Sequence, residues 1–181
     1  MTATRPTPKP LMSLDDALAQ LLGHATMLDG SEPVATFDAD GRVLAQDLVS
    51  QLQVPPQDNS SMDGYALRCA DVADLTQALP VSQRIPAGSV GTPLVPNTVA
   101  RIFTGAPIPP GANAVVMQED CDVLADGSVR LKTRPDAGQW IRRAGEDVTR
   151  GAVVLHQGQR LMPAALGMAA SIGADVLQVV R

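Results

Sequence analysis

Between about Val49 and Trp140 the chain never sustains an apolar pattern for more than a few residues before proline or glycine interrupts it. The runs that survive, 64–68, 81–85, 99–103, 114–118 and 128–132, are too short for helices. Short β-type runs at this spacing, separated by turn residues, predict a small barrel- or sandwich-like β domain. Ala125-Asp126-Gly127 fits a hairpin turn joining 121–124 to 128–132, since Asp-Gly supplies the positive φ such turns need. The stretch 70–79 reads as a helical turn. Hydrophobic residues make up 45% of the chain, but one Trp, one Tyr and two Phe are its only aromatics, so the core must be aliphatic.

The flanks have a different character. Ser13 can cap a helix expected over 13–25, with Asp16 in the capping-box position and Leu14, Leu18, Leu21, Leu22 and Ala25 forming one apolar stripe. A short strand is expected at 34–37 and a short helix at 41–48, with Val43 and Leu44 turned inward. Beyond Gly145, residues 152–155 read as a strand and Pro163 suits the first position of a helix over 164–172. Gly173 can terminate that helix, and 175–180 reads as a closing strand. The expected fold is therefore α+β: an inserted β domain over 49–145, projecting from one discontinuous α/β unit made of 13–48 and 146–181. Residues 1–12, rich in Pro and Thr, read as a disordered lead-in.

A formal net charge of −5 and scarce aromatics argue against a nucleic-acid surface, which needs basic patches and stacking platforms. Any anionic ligand must be held by a local cluster against the overall field. Cys69 and Cys121 are far apart in sequence and no CxxC occurs, which speaks against zinc and against a disulfide framework. No apolar run approaches the ~18 residues of a membrane span, and the N-terminus lacks an apolar signal core. The expectation is a cytoplasmic protein with no membrane and no nucleic-acid partner.

Three segments carry chemistry. In VPPQDNSSMDGYALR, 54–68, a polar loop places Asp58, Asn59, Ser60, Ser61 and Asp63 beside a strand. Such side chains can ligate a hard cation such as Mg²⁺ or orient an oxyanion; equally, they can close turns through their own backbone. In FTGAPIPPGANAVVMQE, 103–119, Thr104 and Gly105 allow loop N–H groups to approach an anion, or else form a stiff connection between strands. In WIRRAGEDV, 140–148, Arg142 and Arg143 can clamp a tetrahedral oxyanion, or pair with Glu146 and Asp147 as surface ions.

In this order and at these separations, DNSSMDGYA, FTGAP and RRAGED resemble the molybdopterin molybdenumtransferases, the MoeA/gephyrin E-domain family. The likeness extends from Leu11 to Arg181, taking in the MSLDDAL helix and the GQRLMPAALGMAASIGADVLQVVR tail. It implies an N-terminal region of an enzyme that inserts molybdate into adenylylated molybdopterin with release of AMP, assisted by Mg²⁺ or another divalent metal. It assigns active-site roles to Asp63, Thr104 and Asp147, with Asp63 and Asp147 as candidate metal ligands. Ser61, Gly105, Arg142 and Arg143 follow as candidate substrate-binding groups.

The family's proteins are homodimers fed by a molybdopterin-adenylylating protein. They continue into a pterin-holding α/β domain with a glycine-aspartate-glutamate motif, which this sequence lacks; the first helix associates with that domain. The chain alone is therefore expected to show no insertion activity and weak or no pterin affinity. Two other readings remain: a non-catalytic, gephyrin-like scaffold or dimerisation module, and a stand-alone oxyanion-binding β domain.

Overall fold

The computed structural model describes residues 12–26 and 28–181, so most of the expected N-terminal lead-in lies outside the described residues. The first element is α1 (Leu14–Gly23), whose first turn is held by Ser13: its hydroxyl accepts from the Asp16 N–H at 3.1 Å and donates to the Asp16 carboxylate at 2.7 Å. No residue of α1 is buried, and the stripe of Leu14, Leu18, Leu21 and Leu22 is exposed. Two short strands follow, β1 (Ser31–Ala35) and β2 (Leu48–Val49). The central region holds β3 (Asn59–Ser60), β4 (Gly64–Leu67), β5 (Ala78–Leu79), β6 (Val81–Ile85) and β7 (Val99–Ile102). It continues with β8 (Ala114–Met117), β9 (Cys121–Val123), β10 (Val129–Leu131) and β11 (Ile141–Arg142). The chain closes with β12 (Val153–Leu155), α2 (Pro163–Ser171) and β13 (Val176–Val180).

Every residue of β4 is buried, and period-2 alternation sends its side chains to two different cores. Tyr65 and Leu67 pack with Val99, Ala114, Val116 and Val129 on one face. Ala66 packs with Ile85, Ala100, Ile102 and Val115 on the other. The sheet runs β6-β7-β4-β8, antiparallel except for the parallel pair β6–β7. Beside it, β5-β10-β9 forms a second sheet, in which Gly127 at φ +81° turns the expected hairpin. Both sheets are open, so the β region is layered and not a closed barrel.

The flanks share a third core of Leu44, Leu155, Leu161, Leu166, Leu177 and Val179. Within it β1 pairs antiparallel with β13 along five residues, Ser31↔Val180 to Ala35↔Val176. Three expectations are corrected here. Residues 41–48 are not a helix: Leu44 bridges Val179, Val43 bridges Arg160, and the Ala45 N–H donates to the Gln178 carbonyl at 2.8 Å. Pairing with strands distant in sequence overrides the local pattern. The strand expected at 34–37 begins and ends earlier, and Thr36–Asp38 forms a 3₁₀ turn. The segment 70–79 likewise divides into a 3₁₀ turn at Cys69–Asp71 and strand β5.

The chain passes from the flank core to the β sheets and back through a two-stranded antiparallel ribbon. Its pairings are β2–β12, the bridge Val54↔Val148, and β3–β11, in succession. The sheet end of this ribbon carries the three sequence motifs.

Candidate functional site

Strand β3 is the seam of the site. On one side Ser60 faces Ile141 and Asn59 faces Arg142. On the other, Asn59 bridges Pro107, Ser60 N–H donates to the Ala106 carbonyl at 2.9 Å, and Gly105 N–H donates to the Ser60 carbonyl at 2.8 Å. Ser60 is buried, and its hydroxyl spans the next turn by donating to the Met62 carbonyl at 2.6 Å. Ser61 N–H donates to the Trp140 carbonyl at 3.0 Å, where Trp140 adopts a left-handed backbone at φ +53°. All three motifs thus meet on one ladder.

Asp63 delivers the chain into β4, and the next residue explains why that position is fixed. A Cβ on Gly64 would lie 2.0 Å from the Val116 carbonyl oxygen, so only glycine lets β4 and β8 approach this closely. Asp63 Oδ1 accepts from both the backbone N–H and the hydroxyl of Thr104, each at 2.8 Å. These two bonds, the backbone one foremost, hold the Asp63 carboxyl below the usual aspartate range, with help from the nearby Arg101 charge. Thr104 therefore spends its hydroxyl hydrogen on Asp63. What it offers a ligand is a lone pair, until Asp63 is protonated or moves away. Gly105, at φ +80°, turns the loop immediately afterwards.

The third motif neutralises itself. Arg142 Nη2 lies 2.5 Å from Asp147 Oδ1 and its Nε lies 3.6 Å from Glu146. The Arg142 guanidinium is pushed above its usual range, chiefly by the bond to Asp147. Arg143 Nη1 donates to Asp58 Oδ2 at 2.6 Å, and the Ala144 N–H donates to the other Asp58 oxygen at 2.8 Å. That amide is the main reason the Asp58 carboxyl is held low, ahead of Arg143 itself. Asp147, Glu146 and Thr149 line a cleft of about 350 Å³ that Met168 of α2 closes at one side. Among the described residues no three His, Cys, Asp or Glu side chains converge on one point.

Arg101 is a site residue that the motifs do not contain. It lies on β7, donates to the Gly64 carbonyl at 3.0 Å and to Gln118 at 2.6 Å, and stacks over the rings of Tyr65 and Phe103. Its signal in the sequence is an arginine inside an otherwise apolar strand, VARIF.

Residues 12–173 match the family described as MoeA N-terminal region (domain I and II). The chain belongs to this family. Among curated MoeA-type relatives, molybdopterin molybdenumtransferase 2 of Mycobacterium tuberculosis is 44% identical over 162 residues, covering 86% of this chain and 40% of the relative. The molybdopterin molybdenumtransferase of Haemophilus influenzae is 39% identical over 164 residues, covering 90% and 40%. The molybdopterin biosynthesis MoeA protein of Pyrococcus horikoshii OT3 superposes with a TM-score of 0.84 at 34% identity, over 94% of this chain and 46% of that one. The α+β fold is that of the MoeA N-terminal region. The chain spans about two-fifths of the length of the curated relatives it matches.

Proposed function

We propose that this chain serves as the N-terminal region of a molybdopterin molybdenumtransferase, in which molybdate is inserted into adenylylated molybdopterin and AMP is released. The observation that carries the reading is the bond pair from Thr104 to Asp63, which joins the first two motifs into one unit on a rigid strand. A pure scaffold has no need of a half-buried carboxylate kept ionised by a neighbouring loop. At neutral pH Asp63 would orient a hydrated metal or metal oxyanion through its second oxygen, while Thr104 keeps the first in place. Asp147 would take part once it exchanges Arg142 for a ligand in the cleft beside α2.

Asp63 and Asp147 are the carboxylates proposed to hold Mg²⁺, which when bound would polarise phosphate or molybdate oxygens. The donor set fits only in part: Asp63 has one oxygen engaged by Thr104, and Asp147 is paired with Arg142. Further ligands would have to come from water, substrate or another domain. The exposed stripe of α1 is proposed to face such a domain or the second chain of a homodimer, with a molybdopterin-adenylylating protein as the upstream supplier. No helix among the described residues is long and apolar enough to cross a membrane. A reducing, cytoplasmic setting suits the free thiols of Cys69 and Cys121, the latter pushed by burial up to about 12.

Two assays test this. The 181-residue chain by itself is expected to insert no molybdenum into adenylylated molybdopterin. A chimera joining it to the remaining domains of the Mycobacterium relative is expected to be active and to lose activity with Asp63→Ala. Full activity of that variant would refute the role given to Asp63.

A further inference from the structure

Two arginines distant in sequence are brought together next to the Asp63–Thr104 pair. Strands β6 and β7 run parallel with Arg84 directly beside Arg101. Both guanidinium carbons lie 4.5 Å from the centre of the Phe103 ring, one residue before Thr104. We propose that Arg84, Arg101 and Phe103 form a receiving site for a tetrahedral oxyanion of the phosphate class, placed beside the Asp63–Thr104 loop.

Two like charges sharing one ring repel each other, and an aromatic face offsets that only in part. Elsewhere in this molecule closely placed arginines are balanced by carboxylates, as Arg142 is by Asp147 and Arg143 by Asp58. The ion pairs among the described residues include neither Arg84 nor Arg101. The hydrogen-bond partners of the Arg101 guanidinium are neutral, the Gly64 carbonyl and the Gln118 side chain, and the Asp63 carboxylate, which feels its charge, forms no ion pair with it. Arg84 is exposed and makes no hydrogen bond from its side chain among the described residues. Each guanidinium has five N–H donors in a fixed plane, a geometry suited to phosphate-like oxygens.

Asp63 supplies the other half of the logic. Its carboxylate repels an anion from its own oxygens, so the anion is held by the arginine N–H groups and not by Asp63. An acceptor group at Asp63 and donors at Arg84 and Arg101 would then bracket a substrate that carries both a metal or hydroxyl and a phosphate-like group. The inference deepens the reading of the Asp63 loop as substrate-facing, and adds anion-binding groups to Arg142 and Arg143, which are ion-paired here.

The test uses the 181-residue chain and nuclear magnetic resonance of the arginine Nε–H groups and the Phe103 ring. Inorganic phosphate, molybdate and AMP are titrated separately at fixed ionic strength. Saturable shifts at Arg84, Arg101 and Phe103 are expected. They should weaken about tenfold in Arg84→Gln, as the loss of a charge-assisted bond implies, and persist in the exposed control Arg130→Gln. Stronger shifts with AMP than with phosphate identify a phosphate ester as the ligand; a preference for molybdate identifies the inorganic oxyanion. No saturable shift with any of the three, shifts confined to Arg142 and Arg143, or full binding by Arg84→Gln would overturn the proposal. Because Arg84 is exposed, that variant should keep the fold, which the unchanged amide spectrum of the β sheets checks. Failure here would leave the Asp63→Ala result in the chimera intact, and loss of that result would leave anion binding intact, so the two claims fall separately.

Discussion

Arg142 and Arg143 are neighbours in sequence, whereas Arg84 and Arg101 lie on successive strands joined by a long connection, and the two pairs differ most in what surrounds them. The first pair sits on an exposed ribbon and is matched by Asp147, Glu146 and Asp58. The second lies on the edge strand β6 and its neighbour β7, with Arg101 held by neutral groups and both arginines over an aromatic ring, and it enters no ion pair among the described residues. Positive residues crowded along a chain therefore say little about positive potential in space. Local crowding invites local neutralisation. A sheet register can assemble unneutralised charge from residues that look isolated.

The comparison can be broken most severely at its foundation, strand β4. Gly64→Ala places a methyl group 2.0 Å from the Val116 backbone oxygen, which no side-chain rotation can relieve. A loss of about 3 kcal/mol or more in urea unfolding is expected, since backbone must move in a packed sheet. The same change at Gly145, on the ribbon, should cost about 1 kcal/mol, from its φ of +75° alone. Equal costs at the two glycines would contradict the contrast between rigid sheet and exposed ribbon.

Next in size is Arg101→Gln, which removes two hydrogen bonds and two ring contacts and should cost about 1–2 kcal/mol. Faster hydrogen exchange at the Thr104 amide would accompany it. Arg101→Lys should recover little, because an ammonium cannot stack as a planar guanidinium does.

Acid sharpens the comparison differently. Asp63 and Asp58 both have carboxyls held below the ordinary range in the folded chain. Their contributions to stability are therefore complete above the ordinary aspartate value of about 3.9 and are lost as pH falls below it through the folded values. Carbon resonances of the two carboxyls, followed from about pH 7 downward, should report both as titrating below the ordinary aspartate range. In Arg101→Gln the Asp63 titration should move up only partway, because the Thr104 bonds come first among its causes. Asp63 titrating at its ordinary value would show that the loop is open in solution.

The smallest effect is expected from Arg142→Gln. Its ion pairs are exposed, and such pairs contribute little after solvent screening. The urea midpoint should stay within error of the parent chain, and a clear drop would mean the ribbon depends on its charges.

Much of the strand plan was legible locally. The Asp126-Gly127 turn, Pro163 at the start of α2 and Gly173 after it follow from backbone rules that need no tertiary context. The run 41–48 misled because Val43 and Leu44 satisfy a helical spacing as well as a strand pairing, and the choice is made by Arg160 and Val179. Barrel closure was equally out of reach, since it depends on which edges meet. At the site, the Asp63 and Thr104 loops were visible as motifs, but their bond was not. Gly64 lets two strands approach closely, a role that depends on the Val116 backbone across the sheet. Arg84 and Arg101 escaped notice because parallel register alone brings them together.

The ribbon has a consequence for the order in which the molecule assembles. Pairing β1 with β13 in an unfolded chain requires closing nearly the whole sequence into one loop. If the β sheets form first, β3–β11 and then β2–β12 can zip outward and shorten that loop step by step, each halving saving about 0.6 kcal/mol of closure entropy. Contact order then favours a sequence of events running from the middle of the chain to its ends. Hydrogen-exchange labelling during refolding should protect Ala66 and Val115 before Val34 and Leu177.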